Sequence, residues 1–227
     1  MARLPRLVLP GFAHFVILLG HGGRAVFADD AERQAFSSAL REAAAAEQVQ
    51  LHAYALLDHE VQLLATPATA SGLGRMMQAL GRRYVAACNR RHGRMGSPWE
   101  GRFRCAMVQP GATLLDVMRI VDGQADTGAS PPALLHTSAG HRCGQHHLAH
   151  LVDPPEYWQL GNTPFEREIA YRTLLANGLS VERSLALRSA ALGGWVAGEK
   201  AFAAEVEALV TRPTAPRPRG RPRRQPG

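Results

Sequence analysis

Glu60 and Gln62 lie two positions apart in the run Glu60-Val61-Gln62-Leu63-Leu64-Ala65. On a strand that spacing points both side chains to one face. A carboxylate and an amide oxygen are ligands that Mg2+ or Mn2+ accept, although two protein oxygens are few for a hard cation. The plainer alternative makes them solvent-facing strand residues. His59 is one place off, so on a strand it faces the other way. His141, Cys143, His146, His147 and His150 offer the nitrogen and sulfur donors of zinc sites, but with a single thiolate and a spacing that fits no standard finger. Four tyrosines, Tyr54, Tyr84, Tyr157 and Tyr171, are the phenols available as nucleophiles.

The remaining chemistry is cationic. Residues 212–227 hold six arginines and no acid, so +6 of the formal +7 sits there and the body is near neutral at +1. A basic tail on a balanced domain is a pattern of nucleic-acid binders. Within it, Pro218-Arg219-Gly220-Arg221-Pro222-Arg223-Arg224 resembles an AT-hook. Glycine lets such a backbone approach the floor of the A·T-rich minor groove, and arginines follow the negative potential there. The alternative is a polybasic tail that holds phosphates without sequence preference.

These groups need elements to position them. Phe15-Val16-Ile17-Leu18-Leu19 suits a buried central strand; it is too short and interrupted for a leader or a membrane span. Asp29 and Glu32 are spaced as a capping box opening a helix to about 47. Residues 49–56 alternate, with Val49, Leu51, Ala53 and Ala55 expected on one face and Gln50, His52 and Tyr54 on the other. In the strand 60–65, Val61, Leu63 and Ala65 share one face. A helix over 71–92 places Leu73, Met76, Met77, Leu80, Tyr84 and Cys88 on its apolar side, with Arg75, Arg82, Arg83 and Arg90 opposite. That basic face is either solvated or turned to DNA. A strand at 105–109 and a helix at 112–121 complete a βαββαβ order. The fold class is therefore α+β, a ferredoxin-like domain with an antiparallel sheet. Helices are expected near 165–176, 181–191 and 199–210. Three separated cysteines, an odd count, argue against a disulfide framework and for a reducing, cytoplasmic setting.

Several blocks, in order, resemble the REP-associated tyrosine transposases, single-tyrosine HUH enzymes that bind and cut hairpin DNA. They are Met1-Ala2-Arg3-Leu4-Pro5-Arg6, His52-Ala53-Tyr54, Leu63-Leu64-Ala65-Thr66-Pro67, Gly81-Arg82-Arg83-Tyr84-Val85, Trp99-Glu100-Gly101-Arg102-Phe103, Leu160-Gly161-Asn162-Thr163-Pro164-Phe165 and Gly193-Gly194-Trp195. In that family, two histidines flanking one residue on a strand hold a divalent metal, which polarises the scissile phosphate. A tyrosine on a later helix attacks it. Here the resemblance puts Glu60 and Gln62 at the histidine positions and Ile120 at the nucleophile position. The downstream Asn-Pro-Val-Arg block of the family is absent too.

The resemblance thus implies a transposase-like DNA-binding protein that has lost strand cleavage; the alternative is an active metal-dependent transposase with a non-standard site. It implies hairpin or single-stranded DNA as partner and, since members commonly act as dimers, a homodimer. No cofactor is expected unless Glu60 and Gln62 still hold Mg2+ or Mn2+. DNA contacts are expected from Arg75, Arg82, Arg83, Arg90, Arg102, Arg104, Arg219, Arg221, Arg223 and Arg224, in a cytoplasmic, nucleoid-associated protein without membrane contact. Trp99 and Phe103 serve either as core anchors or as a stacking platform beside Arg102 and Arg104. The expected organisation is a transposase-like domain at 1–123, an irregular region at 124–155, a helical extension at 156–211 and a disordered basic tail at 212–227.

Overall fold

The computed structural model describes residues 5–126 and 136–216. Strand β1 (His14–Leu19) is central in a five-stranded sheet of order β2-β3-β1-β4-β5, with β2 at Val49–Leu56, β3 at Glu60–Pro67, β4 at Arg104–Val108 and β5 at Val196–Ala197. Strands β1 to β4 pair antiparallel in the expected ferredoxin-like arrangement. The short β5 departs from it, adding parallel to β4 from the C-terminal extension. A two-residue strand carries too little periodicity to be read in sequence.

One face of the sheet is covered by α1 (Asp30–Ala46) and α2 (Gly72–His92). Val16, Leu18, Leu63 and Ala65 meet Phe36, Leu40, Leu73, Met76 and Leu80 in a common core. Phe27, Phe36, Tyr84 and Trp99 close this core through ring contacts at 5.1 to 6.5 Å, several of them edge-to-face. Such pairs each add about 0.5–1.5 kcal/mol beyond the area they bury. At the start of α1, the Asp29 carboxylate accepts from Glu32 N–H at 3.0 Å. Glu32 reaches back to Ala28 N–H at 2.8 Å rather than to Asp29, so the expected box closes one residue further upstream.

The opposite face is covered by α3 (Ala112–Asp122) and α7 (Val181–Gly193), with α6 (Pro164–Ala176) beyond α3. Short helices α4 (Ala139–Arg142) and α5 (Pro155–Trp158) connect them, and α8 (Lys200–Leu209) packs Val206 beside Met107 and Val196 at the β4 edge. Helix α6 opens with a complete capping box, Thr163 with Glu166, and Pro164 in its first turn. Arg142 is fully buried. It bonds to the His52 carbonyl and pairs with Asp153 at 3.1 Å, which fastens α4 beneath the sheet edge.

Strand β2 does not alternate as expected. Its pairing with β3 passes from Leu51↔Ala65 directly to Ala53↔Leu64, leaving His52 as the extra residue of a β-bulge. A bulge puts two residues against one and reverses the faces beyond it. Val49, Leu51, Tyr54 and Leu56 therefore face α1 and α2, while Ala53 and Ala55 face α3. His52 is buried, with Nδ1 2.7 Å from the Val152 carbonyl and Nε2 2.8 Å from the Thr66 hydroxyl.

Of the segment 212–227 expected to be disordered, residues 212–216 are described and lie on the body. Arg212 donates to the Gly194 carbonyl at 2.6 Å, and the Thr214 carbonyl accepts from Val196 N–H at 2.9 Å. Among the described residues no helix is long and apolar enough to cross a membrane.

Candidate functional site

Alternation along β3 turns Glu60, Gln62 and Leu64 away from α1 and α2. Under α7, they are far from being solvent-facing: Gln62 is 1% exposed and Glu60 is half-buried. A cleft of about 700 Å³ opens beside them, lined by Gln62, Arg119, Ile120, Arg172, Gln145 and Arg188 among others. Gln62 and Ile120, which the resemblance puts at a metal-ligand and the nucleophile position, thus line the same cleft. Ile120, half-buried at the end of α3, presents only hydrocarbon there.

Glu60 is already partnered. Arg188 on α7 donates to both of its carboxylate oxygens, at 2.7 and 2.5 Å, and Gln62 Nε2 donates to Oε1 at 2.5 Å. Bidentate guanidinium–carboxylate bonds of this kind are strong and geometrically selective. Burial pushes the Glu60 carboxyl up, but hydrogen bonds from Arg188 and Gln62 and the Arg188 charge outweigh it and hold the group below the usual carboxylate range. Gln62 Oε1 is left without a hydrogen-bond partner among the described residues. A divalent metal at this place would have to displace the guanidinium and then rely on one carboxylate and one amide oxygen. The residues present do not fit it.

None of the four tyrosines presents an exposed phenol. Tyr54, Tyr84, Tyr157 and Tyr171 are all buried, none more than 6% exposed. The Tyr171 hydroxyl donates to buried Asp122 at 2.6 Å, Tyr157 bonds to the Arg142 carbonyl, and Tyr84 bonds to the Val26 carbonyl. Burial, followed by the Asp122 charge, raises the Tyr171 phenol well above its ordinary range, so it stays protonated. Asp122 itself is pushed up by burial against the pull of Arg142, Ser138 and Tyr171. These groups form a structural network between α3, α4 and α6. His59 lies exposed in the β2–β3 turn.

The arginines expected on a DNA face divide. Arg75 pairs with Glu47 at 2.5 Å, and Arg83 pairs with Glu42, so α1 neutralises part of the α2 basic face. Arg82, Arg90 and Arg102 are exposed. Arg104 is half-buried, bonding to the Leu192 carbonyl at 3.3 Å and lying 3.5 Å from Glu100. Trp99 and Phe103 are buried core anchors rather than a stacking platform. Arg82 and Arg102 line a second cleft, of about 560 Å³, together with Arg6, whose guanidinium lies 3.7 Å over the Phe103 ring. Leu80, Trp99 and Phe103 belong to its apolar lining, and no acid contributes. Arg219, Arg221, Arg223 and Arg224 lie outside the described residues.

The histidine-rich stretch does not assemble as a metal site among the described residues. His141 sits 3.7 Å from Asp153 and 5.1 Å, ring to ring, from His147, while His150 stacks on Tyr54. Sequence reasoning missed Arg188, Arg6, Arg119 and Arg172. Arg188 contacts a residue 128 positions away, and nothing local marks such a pairing. Arg119 and Arg172 enter the cleft only because α3 and α6 pack side by side, Arg119 donating to the Leu174 carbonyl at 3.0 Å.

No protein-family model and no curated protein matches this chain. Among solved structures, it superposes on the REP-associated tyrosine transposase bound to a REP hairpin with a TM-score of 0.53. Identity is 10%, over 69% of this chain and 93% of that one. A candidate transposase from Deinococcus radiodurans R1 follows at TM-score 0.36 and 18% identity, over 48% and 88% of the two chains. The architecture is thus that of a transposase. In particular, it is the REP-associated tyrosine transposase fold that the ordered sequence blocks resemble.

Proposed function

We propose that this chain is a transposase-like DNA-binding protein from which strand cleavage has been lost. The exchange beside the first cleft carries the reading: Arg188 holds both oxygens of Glu60, and Ile120 stands where the resemblance places a phenol. A guanidinium supplies positive charge there but no Lewis acid and no open coordination position. The chemistry of cutting is gone, while the arginines that hold phosphates remain.

The solved neighbour of the same fold holds a REP hairpin, which favours hairpin or single-stranded DNA as the ligand of this chain. The surface we assign to it is the second cleft, which Arg6, Arg82 and Arg102 line together with apolar side chains. Arg90 adds an exposed cation further along α2. Arg219, Arg221, Arg223 and Arg224 add a polybasic or AT-hook-like contact, and nucleoid association follows from such binding.

The reading is tested with labelled hairpin and single-stranded DNA in Mg2+ or Mn2+, on native and denaturing gels. Retardation on the native gel with no denaturation-resistant band is expected. A covalent adduct would instead support an active transposase with a non-standard nucleophile, and no retardation at all would remove the DNA-binding reading. Arg82→Ala and Arg102→Ala should each lower the slope of log affinity against log salt by about one, as loss of one phosphate contact does.

A further inference from the structure

On the other side of the sheet from Glu60, α1 and α2 bring together three side chains that DNA binding does not use. Cys88 and His92 lie four residues apart on α2, and therefore on one face of the helix. Glu32, in the first turn of α1, meets them there. One ligand atom from each residue lies within 4.8 Å of both others. His92 Nε2 is 2.5 Å from Glu32 Oε1, and Glu32 Oε2 is held by the Ala28 N–H at 2.8 Å. Arg91 stands 3.5 Å from Glu32 and is itself paired with Asp29. The Tyr84 hydroxyl, which donates to the Val26 carbonyl, also lies within hydrogen-bond reach of Glu32 and Cys88.

We propose that Glu32, Cys88 and His92 form a zinc site that staples the last turn of α2 to the first turn of α1. One thiolate, one imidazole and one carboxylate are a donor set that suits Zn2+ and not the hard cations Mg2+ or Mn2+. A tetrahedral zinc, with bonds of about 2.0–2.3 Å, spaces its ligands by about 3.3–3.8 Å. To reach that spacing, the Glu32–His92 contact opens and the widest pair closes by about 1 Å, within the swing of three side-chain rotamers. His92 is partly exposed, so a water supplies the fourth ligand.

The charges balance as well. Binding displaces the Cys88 proton to solvent, and the dication is neutralised by one thiolate and one carboxylate, with the imidazole neutral. The glycine that follows, Gly93, leaves the helix in the left-handed region at φ 59° and ends α2 directly after the last ligand.

The test uses the full chain titrated with Co2+ and then Zn2+. An equimolar thiolate-to-cobalt charge-transfer band is expected, bleached by zinc, absent in Cys88→Ser and in His92→Gln, and kept in Cys143→Ser. Zinc should raise the thermal midpoint of the unmodified chain and leave that of Cys88→Ser unchanged. Two results would overturn the proposal: no thiolate band in the unmodified chain, or a band that survives Cys88→Ser, which would move the metal to Cys143 and the histidines around it. Because the readout needs no DNA, it stands apart from the DNA-binding reading.

Discussion

Arg188 and Glu60 form the residue-scale feature on which the functional reading turns. Removing one partner of a half-buried pair strands the other, whereas replacing both by groups of similar shape avoids that loss. Arg188→Ala should lower stability by about 1–3 kcal/mol, less than the roughly 3–5 kcal/mol of a fully buried pair because the arginine is one-third exposed. Adding Glu60→Gln to Arg188→Ala should recover most of it, as urea unfolding of the double-mutant cycle will show. The pH dependence has a fixed sign. The folded-state carboxyl titrates below its unfolded value, so the pair's contribution is complete at neutral pH and is lost as acid protonates Glu60. That acid-side loss should be smaller in Arg188→Ala. The sequence placed Glu60 and Gln62 on one face and Ile120 at the nucleophile position, because strand period and motif order are local properties. It did not disclose Arg188, nor that Tyr157 and Tyr171 are buried, because both depend on how the extension packs.

The elements were legible where their period was long and uninterrupted. Helix α2 came out with its apolar and basic sides as read, and β3 with Val61, Leu63 and Ala65 inward. Strand β2 did not, since one inserted residue reverses every position beyond it while the letters still look like alternation. Size holds the clue: Ala53 and Ala55 are small because α3 lies over them, and Leu51, Tyr54 and Leu56 are large because they fill the opposite core. Replacing His52 by Gln forfeits two hydrogen bonds, a cost of about 1–3 kcal/mol. Deleting His52 removes the bulge and turns either Val49 and Leu51 or Tyr54 and Leu56 to the wrong face. Thermal unfolding of the two variants should show the deletion as far more damaging than the substitution. If they prove equal, the bulge does not set the strand's facing.

At the scale of the whole molecule, composition was the weakest guide. A Pro- and Arg-rich ending reads as disordered from 212 onward, yet Arg212 reaches both the Pro5 and the Gly194 carbonyls and Thr214 is almost fully buried. A chain ended at 211 should be less stable than one ended at 216 by about 1–3 kcal/mol, the value of a few part-buried hydrogen bonds, measured by chemical denaturation. Equal midpoints would mean that these contacts contribute nothing. The βαββαβ plan was visible because it is written in consecutive elements; β5 was not, because its partner β4 lies some ninety residues earlier in the chain. That strand decides what kind of cover α7 is. A flap on a flexible hinge comes and goes, and a ligand can select its open form. Helix α7 instead runs through Gly194 straight into a strand bonded to the central sheet, and its first turn is fixed where Arg183 meets Asp116 at 2.9 Å. Arg188 is therefore a fixture of the fold and not a gate, and a DNA strand that reaches this cleft finds the same closed carboxylate on every visit.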